Sequence, residues 1–222
     1  MTSPTGLGPR SRPTGGAVRL VVWILHLALP LLGLWLLIAR PSLDLRWQHQ
    51  PSHFWLVLAL AAVSVWLGLR MQSDARKRSD ARLLLVAFAF ITSAGFLFLH
   101  ALATPGVLLD GPNIGFEIAT PVGLALASGL LAISAFDLSE PLTDRIVLRA
   151  NGLRNTLLSV LAVWAGASVS GIGPLDGLPT GQELRSSLEI AAFVSVGLYA
   201  LAAAGYFRIH RRRPSVMLVG LI

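Results

Sequence analysis

LLLVAFAFITSAGFLFLHALA, residues Leu83 to Ala103, is an uninterrupted apolar run that follows directly on RMQSDARKRSDAR, residues Arg70 to Arg82. A bilayer's hydrocarbon core of about 30 Å takes roughly 20 helical residues, and lipid obliges each backbone amide to bond within its own segment. The run therefore reads as a transmembrane helix entered from a basic loop. Five further runs have the same form: Val18 to Ala39, His53 to Leu69, Phe116 to Phe136, Asn155 to Ile172 and Ser187 to Phe207. Together they predict an all-α, polytopic membrane helical bundle with six complete transmembrane helices.

Composition points the same way. With 54% hydrophobic and 13% charged residues, a water-soluble fold of this size would leave much of its apolar surface in water. The net charge of +7 does not indicate nucleic acid, because the cations sit in short segments between apolar runs instead of covering a folded surface among aromatic platforms. Fifteen of the 18 Lys and Arg residues lie on alternate connections, the N-terminal flank, Arg70 to Arg82, Arg145 to Arg154 and Arg208 to Arg213; Arg40, Arg46 and Arg185 alone lie on the others. Short cytoplasmic loops hold such an excess, so the expected location is the plasma membrane, multi-pass, with the N-terminus and the basic loops cytoplasmic and facing anionic lipid headgroups. The absence of cysteine excludes disulfides, thiolate metal sites and Cys nucleophiles.

Residues 1–17 are rich in Pro, Gly, Ser and Thr and read as a disordered cytoplasmic tail. Residues 18–213 form the expected six-helix domain. After Pro214, SVMLVGLI reaches only about 13 Å with its proline at the helical rise, so 214–222 reads as the truncated start of a seventh helix, and the chain as a piece of a longer protein.

Titratable side chains inside a bilayer are costly and draw attention as sites. His26 falls near the middle of the first run, His100 toward the outer end of the third, Glu117 and Glu189 near the outer starts of the fourth and sixth, and His53 opens the second. His100, Glu117, Glu189 and His53 share a depth and form a candidate outer pocket for a small ligand of unknown identity, a proton or a metal. No HExxH spacing supports a particular metal. The simpler reading makes the glutamates interfacial and His100 a hydrogen-bonded packing residue. A haem between His26 and His100 is disfavoured by their different depths, and no cofactor is expected.

Two Ala-Thr-Pro triplets, Ala103 to Pro105 and Ala119 to Pro121, bracket a Gly/Pro-rich loop. Pro121 removes a donor and should kink its helix, with Thr120 placed to bond a freed carbonyl. Small residues, Ala125 to Gly129, Ala165 to Ser168 and Ala200 to Gly205, suit close helix packing in lipid. Ser64, Ser93, Ser128, Ser134 and Ser168 look like packing residues without a base beside them, which argues against an intramembrane hydrolase.

The segment His100 to Ser128, HALATPGVLL followed by a Gly/Pro loop and GFEIATPVGLALAS, resembles the N-terminal multi-helix membrane region of actinobacterial-type membrane adenylate/guanylate cyclases and related bacterial sensor proteins. The likeness covers about thirty residues. It implies a sensory or anchoring module that transmits an outer-face or lipid signal to a cytoplasmic output domain, a nucleotide cyclase, lying beyond the chain end, and a homodimer as partner state. No catalytic residue is then expected in this segment. The alternative is a small transporter or channel, which should show broken helices and a polar path near the midplane.

Overall fold

The computed structural model describes residues 15–43, 49–104, 106–108, 113–172, 175 and 181–212, and it separates into two units, 1–48 and 49–222. In the first, α1 (Gly15–Ala39) leads into a 3₁₀ turn at Pro41–Leu43. Helix α1 takes in Gly15, Gly16 and Ala17, which the sequence had assigned to the tail; the rest of that tail, the seventh-helix segment 214–222 and the His26 side chain lie outside the described residues.

The second unit is helical throughout its described residues: α2 (Gln50–Lys77), α3 (Ala81–Leu102), α4 (Ile114–Glu117), α5 (Ala119–Ser134), α6 (Glu140–Leu148), α7 (Ala150–Ser170) and α8 (Gly181–Arg212). Helix α2 opens with His49 as its cap, the Nδ1 atom accepting from the Ser52 amide at 3.3 Å, and with Pro51 in the first turn, where no donor is lost. It runs eight residues past its expected end at Leu69, so most of the basic loop is helix. The reversal needs only Arg78, Ser79 and Asp80, with Ser79 at φ 50° and the Asp80 carboxylate accepting from the Leu83 amide at 3.0 Å. A carboxylate cap at a helix start meets an otherwise unpaired amide and the positive end of the helix dipole.

Helix α3 is the axis of this unit. Leu84, Val86, Ala87 and Phe88 are wholly buried, and α2, α5 and α7 pack on it together with the short α4 and α6. Close approach is bought by missing side chains. A Cβ on Gly123 of α5 would lie 2.3 Å from the Phe96 Cβ of α3, and one on Gly205 of α8 would lie 2.8 Å from the Ala135 carbonyl oxygen. The small-residue face expected from Ala125 to Gly129 is thus shifted: Ala127 and Ser128 are buried, whereas Gly129 faces open space.

Among the described residues three helices are long and apolar enough to cross a membrane, Gln50–Lys77, Ala81–Leu102 and Leu188–Arg212, with a fourth if α6 and α7 form one span bent by 61°. That is fewer than the six read from the sequence. Several side chains of α1 lie outside the described residues, and the rest of the difference has two physical origins. The fourth run is interrupted at Ile118, which leaves α5 only 16 residues long, and the stretch expected to be a loop before Asn155 folds into α6 and the start of α7.

Candidate functional site

The interruption at Ile118 (φ −84°, ψ 0°) falls three residues before Pro121. A proline ring collides with the carbonyl four residues back and offers that carbonyl no hydrogen, so the ladder around Glu117 cannot be regular. The carbonyls two and three residues ahead of the interruption are met from the side. The Trp164 Nε1–H of α7 donates to the Gly115 carbonyl at 2.8 Å, and His100 Nδ1 of α3 lies 3.3 Å from the Phe116 carbonyl, a contact that requires the tautomer protonated at Nδ1. Asn113 caps α4, its Oδ1 accepting from the Phe116 amide at 3.0 Å while its Nδ2 donates to the Ser168 carbonyl of α7 at 2.7 Å. Neighbouring side chains thus meet two carbonyls of the broken span, as an apolar setting favours. Thr120 does not share in this: its hydroxyl is buried without a partner, contrary to its expected bond to a freed carbonyl.

His53 and His100 meet edge to face, their ring centroids 6.2 Å apart, and Glu117 is half-buried beside Phe116. Glu189 is exposed on α8 and has an interaction of its own. Among the described residues no group of three His, Asp or Glu side chains is placed to hold a metal ion. Of the candidate outer-pocket residues, the structure brings His53 and His100 together, with His100 against the Phe116 carbonyl; Phe96 and Trp164 stack edge-on at 5.8 Å in the cluster that includes Phe116.

The opposite end carries the cations. Arg82 at the start of α3 donates from Nε to the Ser134 carbonyl at 2.8 Å and from Nη2 to the Phe136 carbonyl at 3.3 Å, closing the C-terminus of α5. Ser134 also bonds the Tyr206 hydroxyl of α8, a side chain only 1% exposed. Arg212 pairs with Asp137 at 3.3 Å, and Arg76 of α2 donates to the Asn151 side chain of α7 at 2.5 Å. Three basic segments far apart in sequence, around Arg76 to Arg82, Asn151 and Arg212, are thereby tied with the end of α5. Neither Arg82 nor Tyr206 stood out in the sequence, though an arginine two residues into a helix opposite another helix's end is a recognisable capping arrangement.

Ser93, Ser128, Ser134 and Ser168 donate to carbonyls three or four residues back in their own helices, at 2.7 to 3.2 Å, a habit of hydroxyls in helices. No protein-family model matches the chain, nor does any curated protein or solved structure.

Proposed function

We propose that this chain is an integral membrane sensory or anchoring bundle that lies in the plasma membrane with its basic end cytoplasmic and passes an outer-face or lipid signal to a cytoplasmic output domain, of the nucleotide cyclase class that the segment His100 to Ser128 resembles. Six crossings are reached if α1, the interrupted α4–α5 and the bent α6–α7 each count as one. From Ile114 to Ser134 the interrupted helix measures about 31 Å at the helical rise, enough for a hydrocarbon core. Gathering Arg76, Lys77, Arg78, Arg82, Arg208, Arg211 and Arg212 at one end supports the cytoplasmic assignment of that end.

One observation carries the relay. The α4–α5 segment is held at one end by His100 and Trp164 through the Phe116 and Gly115 carbonyls, and at its other end Ser134 and the following Phe136 hold Tyr206 and Arg82. A change at the histidine pair that alters the tilt of this interrupted helix reaches α8 through Ser134. Such coupling needs two packings whose balance a ligand shifts.

Because the chain has no cysteine, labels can be placed singly. Spin labels on cysteines at the exposed Ser79 and Arg211, measured in liposomes with and without His100→Ala, should show a changed distance distribution at the basic end. An unchanged distribution overturns the relay. A transporter is the second reading, favoured by the break at Ile118, but Leu84, Phe88 and Phe96 fill the interior of α3's surroundings. Solute flux through liposomes containing the purified chain would displace the sensory reading.

A further inference from the structure

Between the C-terminal parts of α5 and α8 lies a cavity of about 470 Å³, within the range of small-molecule sites. Its walls include Ala135, Leu201, Ala204 and Gly205, and its mouth carries Asp137 and Arg208. The slot exists because α8 presents Ala and Gly where larger side chains would fill it. Leu201 is 47% exposed and Ala204 and Arg208 are exposed, so the slot opens sideways along the helices as well as at their ends.

Charge decides what fits. Asp137 is already paired with Arg212, whereas Arg208 has no ion pair among the described residues. Arg211 lies over the Phe207 ring, 5.8 Å from its centroid, adding a further cation to the same turn of α8. The mouth therefore keeps an unneutralised guanidinium above an apolar, laterally open slot. A guanidinium matches phosphate oxygens in a bidentate fork, and the slot suits a hydrocarbon chain.

We infer that this cavity is a binding site for an anionic glycerophospholipid, its phosphate on Arg208 and one acyl chain between Ala135, Leu201, Ala204 and Gly205. Basic pockets between membrane helices on the cytoplasmic side are where such headgroups settle. The site adjoins the Tyr206–Ser134 bond, since Tyr206 follows Gly205 and Ser134 precedes Ala135, so an occupied slot props the α5–α8 crossing. The inference rests on the membrane placement proposed above and not on the sensory role.

The test is native mass spectrometry of the detergent-purified, delipidated chain titrated with phosphatidylglycerol or phosphatidylcholine. One phosphatidylglycerol should be retained in preference to phosphatidylcholine, and Arg208→Gln should reduce that preference about fivefold, the weight of one basic residue near an anionic surface. Arg76→Gln, which removes a cation of the same end outside the slot, should leave the preference intact. Ala204→Leu, at an exposed position that tolerates bulk, should weaken retention by filling the slot. Equal losses for Arg208→Gln and Arg76→Gln would show diffuse charge attraction and overturn the site. Displacement of the lipid by glycerol phosphate at equal concentration would show that headgroup alone is read, and would overturn the acyl slot. A chain that stays dispersed in water without detergent refutes the membrane placement itself, an outcome distinct from a membrane-inserted chain that shows no lipid preference.

Discussion

The α3–α5 crossing can be tested with a pair of glycines on one helix. An alanine at Gly123 would set its Cβ 2.3 Å from the Phe96 Cβ and 2.9 Å from its Cγ. Carbon atoms settle at about 3.5 to 4.0 Å, so the helices must part locally by more than about 1 Å. Phe96 has little room to yield, being 1% exposed and backed by Trp164. Overpacking of this kind costs about 1 to 3 kcal/mol, and the shortness of the contact places Gly123→Ala in the upper half of that range. Gly129, six residues along α5, has nothing within 4 Å of a built Cβ. In water alanine would favour the helix by about 1 kcal/mol over glycine, but in a bilayer or micelle the separated helices remain helical, and most of that gain cancels. Gly129→Ala should therefore stay within about 0.5 kcal/mol of the parent. Reversible unfolding by sodium dodecyl sulfate in mixed micelles, followed by tryptophan fluorescence, measures both. Equal midpoints for the two variants would refute the crossing, because a helix face free of Phe96 makes Gly123 and Gly129 equivalent.

Two further substitutions separate a half-buried cap from a surface ion pair at the basic end. Arg82→Met should cost about 2 kcal/mol in the same assay, the weight of hydrogen bonds from a charged group to carbonyls that are left unpaired, and a loss below about 0.5 kcal/mol would mean that the end of α5 does not depend on it. Asp137→Asn should change stability by less than about 0.5 kcal/mol, since its pair with Arg212 is solvent-exposed on both sides and such pairs are worth little; a loss above about 2 kcal/mol would show that Asp137 is buried by something else in the intact protein.

The helical class was legible because apolar run length is a direct physical demand of lipid, and the extent of α3 follows from LLLVAFAFITSAGFLFLHALA, whereas α8 (Gly181–Arg212) extends beyond the expected Ser187 to Phe207 at both ends. Boundaries were less legible. A basic segment such as MQSDARK has good helix formers, and hydropathy counts it as loop although nothing in it stops a helix before Asp80 supplies a new cap. The nine residues of α6 were read as a connection for the same reason: EPLTDRIVL is too polar to span, yet its Ile146 packs against the buried Leu84 and Phe88 side of the core. Hydropathy measures where a segment would dissolve, and hydrogen bonding decides whether it is helix.

The site was half legible for a related reason. Pro121 was recognisable as a place where a helix gives way, but the side chains that repair the damage come from α3 and α7 and have no sequence proximity to it. His100 drew attention as a titratable group in an apolar run, which suggested a ligand. Its contact with the Phe116 carbonyl supplies another reason for its presence: an interrupted helix in a dry environment needs donors from its neighbours, and an imidazole N–H or an indole N–H is a donor that carries a large apolar body. Trp164 meets the same need at Gly115, and nothing adjacent to it in sequence marks it as a donor to that carbonyl. Where a proline breaks an apolar helix, the informative search is for donors on the helices packed against the carbonyls three to six residues before it. In this chain that search leads from Pro121 to His100 and Trp164, and through α5 to the serine that holds Tyr206.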